Sequence, residues 1–339
     1  MNAKDIAQIK ALLSTPKHIV IIPHKNPDGD AIGSTSALFL FLKKKGHLPV
    51  VIAPNDYPHF LKWMAAEEAI LKYDQHKDIA DQKVKEASII FTLDFNDLGR
   101  IGELQAVVQD SEATFIMIDH HQQPEDYADY MYSDTSIGST CEMVYNFFSW
   151  LGEVDAIDAD IANCLYTGIM TDTGSFRFPS TTSTTHRVVA DLIDKGANNA
   201  SVHQMIYDTN SLSKLQLLGC ALRNLVTLDE FSTAYITLSQ KELDQHNFKK
   251  GDTEGFVNYG LSLKGINFAV IFIENRQENI IKISLRSKGD FSVNQFARKY
   301  FEGGGHDNAA GGKSDRNMQR TIEYFVNLLP QYKEALNNS

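Results

Sequence analysis

Four short runs of β-branched and large apolar residues, His18–Ile22, Pro49–Ala53, Ser88–Leu93 and Thr114–Ile118, punctuate the first part of the chain. Each ends at a polar, acidic or turn-forming segment, and helical patterns follow, such as Ala31–Lys45 with Leu38, Phe41 and Leu42 on one face. Strands that alternate with helices build βαβ units, so few folds remain open and the sheet should be mainly parallel. Two of the runs stop at Asp94 and Asp119, and a helix predicted over Ala159–Met170 leads into Thr171-Asp172-Thr173-Gly174. In an open α/β sheet, ligands bind in the crevice beyond the carboxyl ends of the strands.

The pattern then changes. From Thr184 to about Arg223 it is helical, broken at Gly196–Asn199, and reads as a connector. Beyond it, Phe231–Leu238, Phe268–Glu274 and Ile280–Arg286 read as strands, the last two separated by the turn-like Asn275–Asn279. The expected organisation is α/β. A mainly parallel sheet with flanking helices occupies 1–190, a helical linker 191–215, and an α+β domain with a mixed sheet 216–339. With 339 residues, each domain is long enough to bury its own core.

Charge separates the halves. The net charge of −11 comes from residues 1–215, with 17 basic and 29 acidic side chains, whereas 216–339 hold 15 and 14. Such a balance argues against tight, sequence-independent binding of long nucleic acid and leaves room for a short anionic substrate. The cysteines Cys141, Cys164 and Cys220 are odd in number, lack C-x-x-C spacing and lie in apolar stretches. They read as buried reduced thiols of a cytoplasmic protein. No secretion signal is evident in Met1–Leu13. The longest apolar runs fall far short of the roughly 20 residues of a membrane span.

Four clusters offer ligands for hard divalent ions: His24-x-x-x-Asp28-x-Asp30, Asp94, Asp119-His120-His121 and Asp172. Imidazole and carboxylate without thiolate favour Mn²⁺, Mg²⁺ or a similar ion over a structural zinc site. One carboxylate can bridge two ions about 3.5–4 Å apart, an arrangement that polarises phosphoryl groups. Taken singly, each cluster has a plainer reading. Asp28-x-Asp30 is a common turn or cap, and Ile32 and Phe39 stand where a calcium loop needs ligands. Asp172-Thr173-Gly174-Ser175 copies half of an aspartic protease, and no second half is present. Four such clusters in one βαβ frame point to a metal centre.

With these residues in place, the sequence resembles the DHH phosphoesterases, named for the Asp-His-His found at 119–121. The family's first motif corresponds to His24-Lys25-Asn26-Pro27-Asp28-Gly29-Asp30-Ala31-Ile32-Gly33-Ser34. The resemblance implies one metal on His24, Asp28 and Asp94, and a second on Asp30, Asp94, His120 and Asp172, with Asp94 bridging. It further implies that His121 faces the scissile phosphate and that Asp119 fixes an imidazole's orientation. The C-terminal part is similar to the DHH-associated domain, through Gly303-Gly304-Gly305-His306 and Ala309-Ala310-Gly311-Gly312. A glycine run lets backbone N–H groups approach a phosphate, and His306 adds a directed hydrogen bond. Lys282, Ser284 and Arg286 share one face of a predicted strand, where Arg286 suits a bidentate phosphate contact.

RecJ-like members of the family are longer and carry an extra oligonucleotide-binding barrel, membrane-bound cyclic-dinucleotide phosphodiesterases add transmembrane segments, and family II pyrophosphatases lack the Gly-Gly-Gly-His domain. The chain is most similar to the compact oligoribonucleases that also dephosphorylate 3′-phosphoadenosine 5′-phosphate (PAP). That resemblance implies two divalent ions, Mn²⁺ foremost with Mg²⁺ or Co²⁺ as alternatives, and in-line attack by a hydroxide held between them. The implied partners are short RNA, dinucleotides such as pApA, and PAP, gripped by the C-terminal loop and Arg286 across an interdomain cleft, with neither long duplexes nor a membrane. A dinucleotide phosphodiesterase, a RecJ-like exonuclease, a non-catalytic nucleotide sensor and a homodimer stay open.

Overall fold

The residues Ile19-Val20-Ile21-Ile22-Pro23 are buried without interruption. A parallel strand of that kind needs helices on both faces of its sheet. In the computed structural model, which describes residues 1–338, the chain separates into two compact units, Met1–Thr209 and a second from Asn210 onward. The first holds a six-stranded, all-parallel sheet of β1 (His18–Pro23), β2 (Leu48–Ala53), β3 (Ile70–Lys72), β4 (Ile89–Leu93), β5 (Thr114–Asp119) and β6 (Tyr130–Ser133) in the order 3-2-1-4-5-6. Alternate residues of β1 serve different cores. Ile19 and Ile21 join one cluster, Val20 and Ile22 the other.

The helices of this unit are α1 (Ala3–Leu12), α2 (Gly29–Lys44), α3 (Lys77–Glu86), α4 (Gln105–Gln109), α5 (Thr140–Leu151), α6 (Ala159–Asp172), α7 (Ser183–Asp194) and α8 (Asn199–Tyr207). Helix α2 is buried on all sides from Gly29 to Phe39, which explains its lack of a polar face. It packs closely on α6 because both helices are notched by glycine. A β-carbon at Gly33 would lie 2.6 Å from the Cys164 carbonyl oxygen, and one at Gly168 would run into Cys141 Sγ and come within 2.7 Å of Asp30 Oδ1. Phe41 stacks on Phe148 of α5 at 4.2 Å between ring centroids.

The connector expected over 191–215 is divided by the structure. Leu192, Ala197, Val202 and Ile206 are buried in the core of the first unit, and only the stretch from Asn210 onward belongs to the second. The apolar stripe of α7 and α8 needs cover, and the neighbouring first core supplies it.

The second unit begins with α9 (Leu212–Arg223). Its six-stranded sheet runs in the order 11-12-10-9-8-7, with β7 (Val226–Leu228), β8 (Thr233–Leu238), β9 (Phe268–Asn275), β10 (Ile280–Ser287), β11 (Gly304–His306) and β12 (Ala309–Ser314). Only β8 and β9 pair in parallel, so the sheet is mixed. Helices α10 (Gln240–Gln245), α11 (Val257–Leu261), α12 (Val293–Tyr300), α13 (Met318–Leu328) and α14 (Lys333–Asn337) accompany it. Phe268 and Phe325 meet edge to face at 5.6 Å within a phenylalanine-rich core. The glycine run expected as a loop is instead a strand for Gly304–His306, paired with β12. Gly305 has φ of 147°, and a β-carbon there would come 2.5 Å from the Ala309 carbonyl oxygen. No helix among the described residues is long and apolar enough to cross a membrane.

Candidate metal centre

Strand β1 lies between β2 and β4, where chain order reverses, and the crevice beyond the carboxyl ends of β1 and β4 is the place where such sheets bind ligands. His24 follows β1, Asp94 follows β4 and Asp119 ends β5. Asp94 has φ of 66°, a left-handed conformation that aspartate tolerates better than most residues, and its N–H donates to the Ile118 carbonyl at 3.1 Å. Asp28 caps α2: its Oδ1 accepts the N–H groups of Asp30 and Ala31, both at 3.1 Å. Asp172 is the last residue of α6.

These elements bring the expected ligands together in two groups. His24 Nε2 lies 3.4 Å from Asp94 Oδ2 and 3.9 Å from Asp28 Oδ2. His120 Nε2 lies 3.4 Å from Asp94 Oδ1, 3.4 Å from Asp172 Oδ2 and 3.8 Å from Asp30 Oδ2. The donor atoms of His24, Asp28 and Asp94 fall within 4.8 Å of one another, as do those of Asp30, His120 and Asp172. Asp94 thus turns one oxygen to each group.

The orientation of the rings bears on whether a metal fits. The Nδ1 of His24 is 2.9 Å from the Lys25 carbonyl oxygen, and the Nδ1 of His120 is 3.1 Å from that of Ile137. A carbonyl can only accept, so in both rings Nδ1 carries hydrogen and Nε2 faces the carboxylates, the arrangement of a metal-bound imidazole. His121 differs. Its Nδ1 meets Asp119 Oδ1 at 2.7 Å, and its backbone N–H donates to Asp119 Oδ2 at 2.9 Å.

Electrostatics agree with a site built for cations. Burial raises the Asp30 carboxyl, and the charges of Asp94 and Asp172 push it well above the usual range. Burial alone would raise Asp94 too, but hydrogen bonds from His120 and His24 and the charge of His121 hold it well below. Burial would lower His120, yet the Asp94 hydrogen bond and the charges of Asp172, Asp94 and Asp30 outweigh it and raise the imidazole well above its ordinary value. For His121, burial outweighs Asp119 and lowers it. Crowded, buried carboxylates with imidazole nitrogens aimed at them match hard divalent ions, whose charge would take the place of the protons held here.

Three features escaped the sequence reading. The N-terminus of α5 holds Asp30, whose oxygens accept the N–H groups of Thr140 at 2.6 Å and Cys141 at 2.9 Å. The Thr140 hydroxyl donates to Asp94 Oδ1 at 2.9 Å. Arg100 is half-buried, its carbonyl accepts the Lys25 N–H at 2.8 Å, and its charge opposes protonation of His24 and His121. All three come from segments far from their partners in sequence, so no local motif announces them.

In the second unit, Arg286 and His306 each pair with Ala309 from opposite sides. Directly opposed residues share a face, so both project from the same side of the sheet with only a methyl group between them. The Arg286 Nη1 donates to the Leu285 carbonyl at 2.9 Å. An open depression of about 360 Å³ is lined by Lys282, Ser284, Gly303, Gly304 and Lys313 among others, and neither Arg286 nor His306 is in its wall. Asp307, after the glycine motif, accepts the Ser292 hydroxyl at 2.8 Å, and its carbonyl accepts the Val293 N–H at 2.7 Å, so it ties the hairpin to α12.

Comparison with known proteins is consistent along the chain. The DHH family N-terminal domain matches residues 18–169, and the DHHA1 domain matches 231–334. The bifunctional oligoribonuclease and PAP phosphatase NrnA of Thermus thermophilus is 30% identical over 94% of this chain and 91% of its own length. The protein of the same name from Bacillus subtilis is 28% identical over 86% of this chain and 88% of its own. A crystal structure of an exopolyphosphatase-related protein from Bacteroides fragilis superposes with a TM-score of 0.94 at 38% identity, covering 99% of this chain and 98% of that one.

Proposed function

The chain belongs to the DHH family of phosphoric ester hydrolases, and from that premise we propose that it degrades very short oligoribonucleotides, including dinucleotides such as pApA, to nucleoside 5′-monophosphates, and converts PAP to AMP and phosphate. The observation that carries this reading is Asp94, which offers one oxygen to each of two imidazole–carboxylate groups at 3.4 Å from either histidine. His24, Asp28 and Asp94 would hold one divalent ion, and Asp30, Asp94, His120 and Asp172 the other, with Mn²⁺ the first choice. When bound, such ions polarise the phosphoryl group and lower the pKa of water.

The protein's own residues do the rest. Asp119 fixes the His121 ring through Nδ1, and the imidazole so oriented would face the scissile phosphate. Thr140 and the first turn of α5 hold Asp94 and Asp30 in place while ions bind and leave. In the DHHA1 part, Arg286, His306 and the backbone of Gly303-Gly304-Gly305 would take a terminal phosphate or base. The acidity of the first unit repels long polyanions, which favours short substrates, and the buried free thiols of Cys141, Cys164 and Cys220 suit a cytoplasmic setting. The test is a panel in one Mn²⁺ buffer: pApA, short RNA oligonucleotides, PAP, pyrophosphate and a long single strand. Release of mononucleotides from the short substrates and of phosphate from PAP is expected. Pyrophosphate or the long strand as the best substrate would overturn the reading, as would no hydrolysis at all.

A further inference from the structure

The loop from His24 to Asp28, which carries two ligands of the first donor group, lies outside any helix or strand between β1 and α2. Asn26 has φ of 56° and stands directly before Pro27, a left-handed conformation that persists only where its surroundings fix it. Two neighbours do so. The Arg100 carbonyl accepts the Lys25 N–H at 2.8 Å. On the other side, Asn55, two residues past the end of β2, holds Asn26 twice: its Oδ1 accepts the Asn26 N–H at 2.7 Å, and its Nδ2 donates to Asn26 Oδ1 at 3.0 Å.

The Asn26 N–H and the Lys25 carbonyl belong to one peptide group, and that carbonyl is the acceptor of His24 Nδ1 at 2.9 Å. An unbroken line therefore runs from Asn55 Oδ1 through the 25–26 peptide to the His24 ring, whose Nε2 faces Asp94 and Asp28. Hydrogen bonds in series polarise one another, so a peptide whose N–H is taken up offers a better acceptor at its carbonyl. The peptide is also planar and cannot turn without breaking the Asn55 bond. Asn55 is itself steadied. Its Nδ2 also donates to the Asp56 carbonyl at 2.9 Å, and the Asp56 carboxylate pairs with Lys62 at 2.8 Å. His120, in the second group, rests on the Ile137 carbonyl, a segment that the Asn55 side chain does not bond.

We propose that Asn55 is a positioning residue for His24, fixing through the 25–26 peptide the orientation and tautomer with which Nε2 meets a divalent ion. The role in ion binding rests on the metal-centre reading, and only the group of His24, Asp28 and Asp94 depends on Asn55.

Ring-nitrogen NMR of the metal-free chain tests the geometry, and Mn²⁺ titration calorimetry tests its consequence. In alkaline buffer, where imidazoles are neutral, His24 and His120 of the wild-type chain should both carry hydrogen on Nδ1. In Asn55→Ala, His24 should become a mixture of tautomers while His120 is unchanged. Mn²⁺ affinity at the His24 group should fall about 10-fold, the low end for groups that orient a ligand, and that at the His120 group should stay as it was. Asn55→Asp keeps an acceptor for the Asn26 N–H and should keep the His24 tautomer, which provides the test if the alanine variant fails to fold. Unchanged His24 signals in a folded Asn55→Ala protein, loss of the tautomer in Asn55→Asp, or an equal fall of both affinities would overturn the proposal. A wild-type chain that binds no Mn²⁺ would refute the metal-centre reading instead, and the ring measurement, which needs no ion, still decides whether Asn55 positions His24.

Discussion

Gly168→Ala adds a single methyl group where α6 packs against Cys141 of α5 and Asp30 of α2. The new β-carbon would run into Cys141 Sγ and lie 2.7 Å from Asp30 Oδ1 and 3.0 Å from Asp30 Cα. Comfortable contacts begin near 3.5 Å, so the helices must part by roughly 1 Å. Overpacking of this kind costs about 1–3 kcal/mol, and the better helix propensity of alanine returns about 1 kcal/mol. Displacing Asp30 also weakens its hydrogen bonds from Thr140 and Cys141, at 2.6 and 2.9 Å. Such bonds are worth about 0.5–1.5 kcal/mol each, so a net loss of about 1–3 kcal/mol is expected. For a unit of this size each kcal/mol lowers Tm by about 2–4 °C, giving a fall of roughly 2–12 °C. Because Asp30 belongs to one donor group only, Mn²⁺ titration calorimetry should find the affinity at His120, Asp30 and Asp172 reduced more than that at His24, Asp28 and Asp94. A variant with wild-type Tm and unaltered binding of both ions would refute the argument that this helix contact positions Asp30.

Thr140→Val keeps the shape of a fully buried side chain but removes the donor to Asp94. Metal affinity measured by calorimetry should fall about 10–100-fold, as for other groups that orient a ligand, while Thr140→Ser restores it. Arg286→Ala should lower kcat/KM for pApA at least about 10-fold with little change in Tm; a melted protein would instead mean that the side chain is structural. Glu242 tests stability far from the site. Burial would raise its carboxyl, but hydrogen bonds from Ser239 and Asn224 bring it down to about 2 from 4.5. A depressed carboxyl contributes stability above its unfolded value, and that contribution disappears as pH falls toward 2. Glu242→Gln should therefore cost about 1–2 kcal/mol at neutral pH, allowing for partial exposure, and almost nothing near the acid limit in pH-dependent denaturant melts.

The extent to which this molecule is legible in its sequence follows the range of the interactions. The βαβ frame, the acids that end β4 and β5, and the cap at Asp28 depend on residues close together in the chain, and the periodicity and turn chemistry display them directly. The alternation of Ile281, Ile283 and Leu285 with Lys282, Ser284 and Arg286 was equally visible, because a strand with one buried face writes its register into the sequence. What escaped was set by partners more distant in sequence. Short edge strands β3, β6 and β7 carry too few residues for a pattern. The α5 amides that hold Asp30 lie 110 and 111 residues away from it. The glycine run at 303–305 reads as a loop by composition, yet it pairs as a strand because Ala309–Gly312 leave the room that its backbone needs. The helical stretch from 191 to 215 reads as a linker because its apolar stripe does not name the core that covers part of it.

The central claim is that a divalent-metal centre organised by Asp94 hydrolyses short phosphodiesters. The direct measurement is AMP release from pApA in Mn²⁺ by the wild-type chain and by Asp94→Ala, each shown to be folded by circular dichroism. Asp94 faces both donor groups, at 3.4 Å from His24 and from His120. Its loss should therefore reduce the rate by at least about 10³-fold, beyond the loss caused by deleting one electrostatic donor. A folded Asp94→Ala protein that retains a substantial share of wild-type activity would contradict the account.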